Sequence, residues 1–347
     1  MLYVTTRDKR DAYTAYYTLS KEKGPKGGFF IPFQKVKFSA DEICALKDKS
    51  VCQCIADILN IFFSARLDEW DVQCCIGSYP VKLIPMSHKV MVAETWNNPE
   101  WDFARVVRNL RSRIMGNGDL GKDFSNWSWI SVRIALLFGI FSELYRLGLV
   151  GEARTIDVSV PVMDFSAPMA VWYAREMGLP IGTIIFTCNE NSGAWDLLHH
   201  GQLQTDAKQI VTSTPKCDMP IPDNLERLIY DALGSTEVAG FVNACTAGTD
   251  YTLPEEQRIT LSKGMFGAVV SQKRMESVIR NVYRTNTYLL NPYSALAYGG
   301  LQDYRTTKIE TGPALILTER GPQCDLETVS GAMGIPKQEL RERFRTM

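Results

Sequence analysis

The chain has 347 residues, more than one small module needs and enough for two α/β units around a sizeable buried interior, since single domains usually run to about 100–200 residues. Its 38 basic and 39 acidic side chains, with 45% hydrophobic and 22% charged residues, give the composition of an ordinary soluble globular protein. Near-neutral charge of this kind excludes bulk attraction to polyanions, so neither nucleic acid nor membrane is expected as a partner.

Met1 to Arg10 contains no apolar signal core, and the longest apolar run, Ile134 to Phe141, is bounded by Arg133 and Glu143. That run is far short of the roughly 20 residues a membrane span needs, and a cytoplasmic protein is expected. Nine cysteines are an odd number and form no paired C-x-x-C units. They read as reduced, mostly buried thiols; Cys74-Cys75 and Cys52-x-Cys54 lack the four-ligand spacing of a zinc site, and no metal is expected.

In chain order, Leu2 to Thr5 has a short strand pattern, and Gly24 to Gly28 is a turn-forming run before the apolar Phe29-Phe30-Ile31-Pro32. Ser39-x-x-Glu42 is a capping box. Ile55, Ile58, Leu59 and Phe62 give a helix over about 51–63 with one buried face. From Lys89 onward strands alternate with helices: strand 90–93, helix 103–115, helix 127–147, strand 155–160, helix 167–176 and strand 183–187. Short connections in such an alternation imply a parallel sheet covered on both faces. Ser166 reads as the N-cap of the helix after strand 155–160, with Pro168 in its first turn. His199-His200 before Gly201 read as a helix C-terminus, where a partly positive imidazole suits the dipole. Helices over 224–233 and 273–284 lead to the apolar runs 288–290 and 314–317, which read as a second α/β region.

The order of these patterns resembles the threonine synthase family, pyridoxal-phosphate (PLP) enzymes of fold type II. Thr5-Thr6-Arg7 and Gly27-Gly28-Phe29-Phe30-Ile31-Pro32 match that family's S-T-R-G and D-G-G-L-x-x-P elements. Ala174 to Ile181 (AREMGLPI), followed by Thr187-Cys188-Asn189-Glu190-Asn191, resembles A-x-x-M-G-L-P-I and A-T-N-x-N. Thr214 to Met219 with Asn224 to Arg227 parallels S-P-S-M-D-I and N-F-E-R, and Asn291 to Ala295 parallels D-P-H-T-A. The resemblance is collinear over nearly the whole chain. It implies a two-domain fold type II architecture, tryptophan synthase β-subunit-like, with a parallel-sheet core. Residues 1–90 would pack with 205–347 as the larger domain, and 91–204 would form the smaller one.

The family's chemical positions are where the sequence departs. Its Schiff-base lysine lies in H-G-P-T-x-x-F-K-D-F, and the corresponding stretch, Asn97 to Val106, places Ala104 there. An alanine methyl forms no imine and moves no proton. The glycine-rich phosphate loop P-T-G-N-F-G-N corresponds to Pro161 to Ala167, with both glycines replaced and Asp164 introduced; a carboxylate at about 4 Å would oppose a phosphate by a few kcal/mol. Glu319 stands where the resemblance places a neutral threonine facing the pyridine nitrogen.

The resemblance with these departures implies a non-catalytic, pseudoenzyme-like binding or regulatory protein with no cofactor, its former cofactor cleft open to a small-molecule ligand. Asp102, Asp164, Ser166, Glu319, Trp101 and Trp129 are the candidate cleft residues. Trp96, Trp127, Trp172 and Trp195 are further candidates to fill or line it, and the acids could anchor an amine. A homodimer is expected by fold analogy alone. Two alternatives stand beside this reading. One is an enzyme with changed chemistry in the same cleft, using a carboxylate or the Cys324 thiol. The other is a divergent PLP-dependent carbon–oxygen lyase acting on O-phosphohomoserine, with Lys89 or Lys122 replacing the lost lysine.

Overall fold

The computed structural model describes residues 1–77, 81–95, 103–116, 126–151 and 153–346. A small antiparallel sheet opens the chain, with β1 (Leu2–Thr5) between β2 (Asp8–Thr14) and β3 (Phe30–Pro32). The Gly24–Gly28 turn returns the chain so that Tyr3 pairs with Pro32 and Val4 with Ile31. Ser39 accepts from the Glu42 amide and Glu42 reaches back to the Ser39 amide, the capping box read from the sequence. Helix α1 (Val51–Phe63) then buries Ile55, Ile58, Leu59 and Phe62.

Six strands form the central sheet: β4 (Lys82–Met86), β5 (Val90–Glu94), β6 (Ile156–Pro161) and β7 (Ile181–Cys188), then β10 (Met265–Val269) and β11 (Ala314–Thr318). A short ribbon of β8 (Gln202–Leu203) and β9 (Tyr251–Thr252) intervenes in sequence. The spatial order is β10-β7-β6-β11-β5-β4, parallel throughout except for the β4–β5 hairpin. All five residues of β11 are buried, and they alternate: Leu315 and Leu317 join the core on one face, Ala314 and Ile316 the core on the other. A strand covered on both faces reads as an unbroken apolar run for this reason.

Helices α2 (Phe103–Met115), α3 (Trp127–Arg146) and α4 (Ser166–Glu176) pack on the first face; α7 (Gln272–Asn286) and α8 (Pro292–Thr306) pack on the second. Between them in sequence lie α5 (Gly193–His200) and α6 (Leu225–Leu233). By length and composition α3 could cross a membrane, yet 94% of its most apolar window is buried inside the protein, against α1 and α4. It is a core helix.

Two expectations change here. The run 288–290 is not a strand, and 314–317 joins the one central sheet instead of founding a second. Because β11 inserts between β5 and β6, this sheet joins the segment 91–204 to strands from both 1–90 and 205–347, and the expected division runs through it. At the end of α5, Gly201 takes the left-handed C-cap with φ 72°, as its position suggested, and burial lowers the His199 pKa, with His200 and Arg258 acting in the same direction.

Gly193, at the start of α5, shows how tightly the loop beyond is held. A Cβ there would sit 2.0 Å from the Pro220 carbonyl oxygen and 3.0 Å from Leu203. A backbone carbonyl cannot swing aside as a side-chain tip can, so Gly193→Ala should lower stability by about 1–3 kcal/mol. A urea midpoint unchanged from wild type would contradict this contact.

Candidate functional site

The carboxyl ends of β6 and β11 lie side by side, and a cavity of about 550 Å³ opens between them. The chain leaves β6 into α4 on one face and leaves β11 toward Val329 on the other. Diverging connections of this kind leave a crevice where open parallel sheets take ligands. Ala104, Trp129, Asp164, Ser166 and Glu319 all line it, so these expected residues are brought together. Asp102 and Trp101 lie outside the described residues, as do Trp96 and Lys122.

Other expectations are corrected. Among the described tryptophans, only Trp129 lines the cleft; Trp127 and Trp172 border a different cavity, and Trp195 stacks on His199. Lys89 sits in the β4–β5 turn at φ 59°, at the amino end of β5, while the cleft lies at the carboxyl ends. It cannot serve the cleft. Cys324 lines a neighbouring groove instead of the cleft itself. The sequence reading missed Arg133 as a cleft residue, and Lys216, Asn291 and Arg320 with it. Arg133 carried a signal: a lone cation inside an apolar helix must find a buried partner.

That partner is Glu319. Arg133 Nε donates to Oε1 at 2.5 Å and Nη2 to Oε2 at 3.0 Å, a bidentate pair with the arginine side chain 6% exposed. Its Nη1 donates to Ser166 Oγ at 2.8 Å, and its guanidinium carbon lies 4.2 Å from the Phe103 ring centroid. Ser166 Oγ in turn donates to Asp164 Oδ1. Asn224 Nδ2 continues the network, donating to the Asp164 carbonyl at 2.9 Å and to Oδ2 at 3.3 Å. Beyond it, Arg227 Nη1 donates to Asn224 Oδ1.

Asp164 also settles how α4 begins. Phe165 occupies the N-cap position in the left-handed region at φ 66° with no side-chain cap, so Ser166 is the first helical residue and not the N-cap. The Asp164 carboxylate, two residues upstream, accepts from the Ser166 amide at 3.1 Å. A carboxylate belonging to the chain thus holds a donor that a helix N-terminus otherwise offers to a bound anion. Of the three expected acids, the two among the described residues are engaged, Glu319 by Arg133 and Asp164 by Ser166 and Asn224.

The opposite wall is built from the loop 214–220 and the start of α8. Asn291 Oδ1 caps α8 by accepting from the Ser294 amide at 2.9 Å, while its Nδ2 donates to Thr318 Oγ1 and to the Arg320 carbonyl, each at 2.7 Å. Asp218 is buried and accepts from Asn189 at 2.7 Å and from the Thr212 hydroxyl at 2.6 Å. Arg320 pairs with Asp325 at 3.1 Å. Lys216 is exposed at the cleft edge and makes no ion pair among the described residues. Among the described residues, the cleft therefore offers apolar walls of Phe103, Trp129, Met163, Tyr293 and Leu317, closed ion pairs across its floor and the exposed Lys216 ammonium at its edge.

A largely parallel sheet with helices on both faces and its cleft between two strand ends is the architecture of fold type II PLP enzymes. The structure superposes on PLP-bound threonine synthase from Brucella melitensis with a TM-score of 0.86 and 19% identity, covering 96% of this chain and 92% of that one. Yeast threonine synthase superposes with a TM-score of 0.83 and 14% identity, over 96% and 90%. No family model matches the chain. In sequence it is 29% identical over 186 residues to threonine synthase of Pseudomonas aeruginosa, covering 52% of this chain and 38% of that protein. It is 23% identical over 178 residues to threonine synthase-like 1 of Homo sapiens, covering 50% and 24%. The chain has the threonine synthase fold and is related in sequence to threonine synthases and threonine synthase-like proteins; the matched stretches span less than half the length of either curated relative.

Proposed function

We propose that this chain is a threonine synthase-like protein without imine chemistry, in which the former cofactor cleft serves as a binding or regulatory site for a small-molecule ligand. The observation that carries the reading is the closed network Glu319–Arg133–Ser166–Asp164–Asn224 across the cleft floor. The residues present do not fit PLP held in the family's manner. Ala104, which the resemblance aligns with the family's lysine, brings a methyl to the wall, and the first amide of α4 already donates to Asp164. Glu319 is bound to Arg133 and is not free to face a ring nitrogen. We place the protein in the cytoplasm, with no nucleic-acid or membrane partner and a homodimer by analogy of fold.

Lys216 provides the decisive test, because it is the lysine lining the cleft among the described residues. The purified protein is incubated with PLP, reduced with borohydride and mapped by peptide mass spectrometry. The expected result is no visible imine band and no stoichiometric pyridoxyl adduct on any cleft peptide. A stoichiometric adduct on Lys216, or on a lysine of the 117–125 segment, overturns the reading and restores a cofactor enzyme. The alternative of changed acid–base chemistry has less support, since both described cleft acids proposed for it are held by donors.

A further inference from the structure

A second cavity of about 360 Å³ lies between the small N-terminal sheet and helices α3, α4 and α6, and shares no lining residue with the cleft. Its walls include Ile31, Phe62, Trp127, Met177 and Tyr230. Four polar groups at its border, on Trp127, Trp172, Tyr173 and Asp231, are buried without a hydrogen-bond partner in good geometry. The Asp231 side chain is 7% exposed; its Oδ1 lies 3.8 Å from the ammonium of Lys35, whose own side chain is 67% exposed. Asp231 Oδ2 is buried and accepts no hydrogen bond, and Trp172 Nε1 is buried and donates none. The Tyr173 hydroxyl is the hydrogen-bonding neighbour of the same carboxylate, in a geometry that leaves Oδ2 unsatisfied.

Each buried polar atom without a partner costs about 1–3 kcal/mol. One such atom is ordinary, but an unpaired carboxylate oxygen and an unpaired indole donor around one cavity call for a complementary guest. The acceptor asks for an ammonium group and the donor for a carboxylate; Lys9, 4.8 Å from the Tyr230 ring centroid, and Lys35 add positive charge at the rim. Glu176 is a second, exposed carboxylate at the rim, and the remaining surface is apolar and aromatic. We propose that this cavity binds a free α-amino acid with an apolar side chain, its ammonium on Asp231, its carboxylate on Trp172 Nε1 and the rim lysines, and its side chain against Ile31, Phe62 and Met177. The site stands independently of what the cleft binds. It is also positioned to report to the cleft, because Trp127 and Arg133 share α3 while Trp172 and Ser166 share α4.

The test is calorimetric titration of the full chain with apolar L-amino acids, their decarboxylated amines and their N-acetyl derivatives. At least one amino acid should bind, and its amine and acetyl forms should each bind about tenfold more weakly or worse, as expected for loss of one charged hydrogen bond. Asp231→Asn and Trp172→Phe keep the size of each side chain and should weaken binding by a similar factor, with thermal melts confirming that both variants fold. Lys216→Ala in the cleft should leave the titration unchanged. Absence of binding by every amino acid, equal binding of the amine or acetyl form, or loss of binding in the Lys216→Ala protein instead of the Asp231→Asn protein each overturns the assignment. The PLP experiment above leaves this outcome untouched, so the two readings fail separately.

Discussion

Glu319→Ala should lower the unfolding free energy by about 3 kcal/mol, because it leaves the Arg133 guanidinium buried without its counter-charge. The figure sits at the lower end of what breaking a buried pair costs, since Ser166 Oγ and the Phe103 ring still hold the cation. Arg133→Met should cost less, about 2 kcal/mol, because the Glu319 side chain is 21% exposed and water partly screens the orphaned carboxylate. The double variant Arg133→Met/Glu319→Leu removes both charges and should be more stable than the sum of the single losses implies, by at least about 1 kcal/mol. Urea unfolding of the four proteins gives the coupling directly. Strict additivity would mean that the two side chains do not act as one unit, and the closed cleft floor would have to be abandoned.

Trp127→Ala should be the most damaging single change, about 3–5 kcal/mol. The indole is fully buried and meets three rings edge-on: Tyr3 at 6.1 Å, Phe62 at 5.7 Å and Tyr173 at 5.5 Å between centroids. These rings come from β1, α1 and α4, so one side chain ties the N-terminal sheet to the helices covering the central one. Truncation to a methyl would merge a new void with the neighbouring cavity instead of collapsing it. Trp127→Phe retains part of the ring contact and should lose markedly less. A drop in the urea midpoint for Trp127→Ala no larger than that of a surface substitution would contradict this packing.

Much of the fold was legible because it is written in local periodicity. The helices 51–63, 103–115, 127–147 and 167–176 and the strands 90–93, 155–160 and 314–317 fall within one or two residues of their observed bounds. The run 288–290 misled for a physical reason: Leu289 and Leu290 are buried, but they enter α8 through the Asn291-Pro292 cap, and a short apolar run carries no period with which to tell strand from helix approach. The cleft was half legible. Ala104, Asp164, Ser166, Trp129 and Glu319 emerged from the departures along a collinear resemblance, and they share one cavity.

What the sequence determined by itself is the set of apolar faces, the caps and the chemical identities at each position, including the absence of an amine at residue 104, because these properties belong to single residues and their near neighbours. Only the tertiary structure decided the pairings. Arg133 and Glu319 are 186 positions apart and Asp164 and Asn224 are 60 apart. No local pattern encodes which buried charge will meet which donor. That choice is made when β11 slots between β5 and β6 and brings the end of one strand beside the start of α4, where an unpaired charge would be too costly to leave.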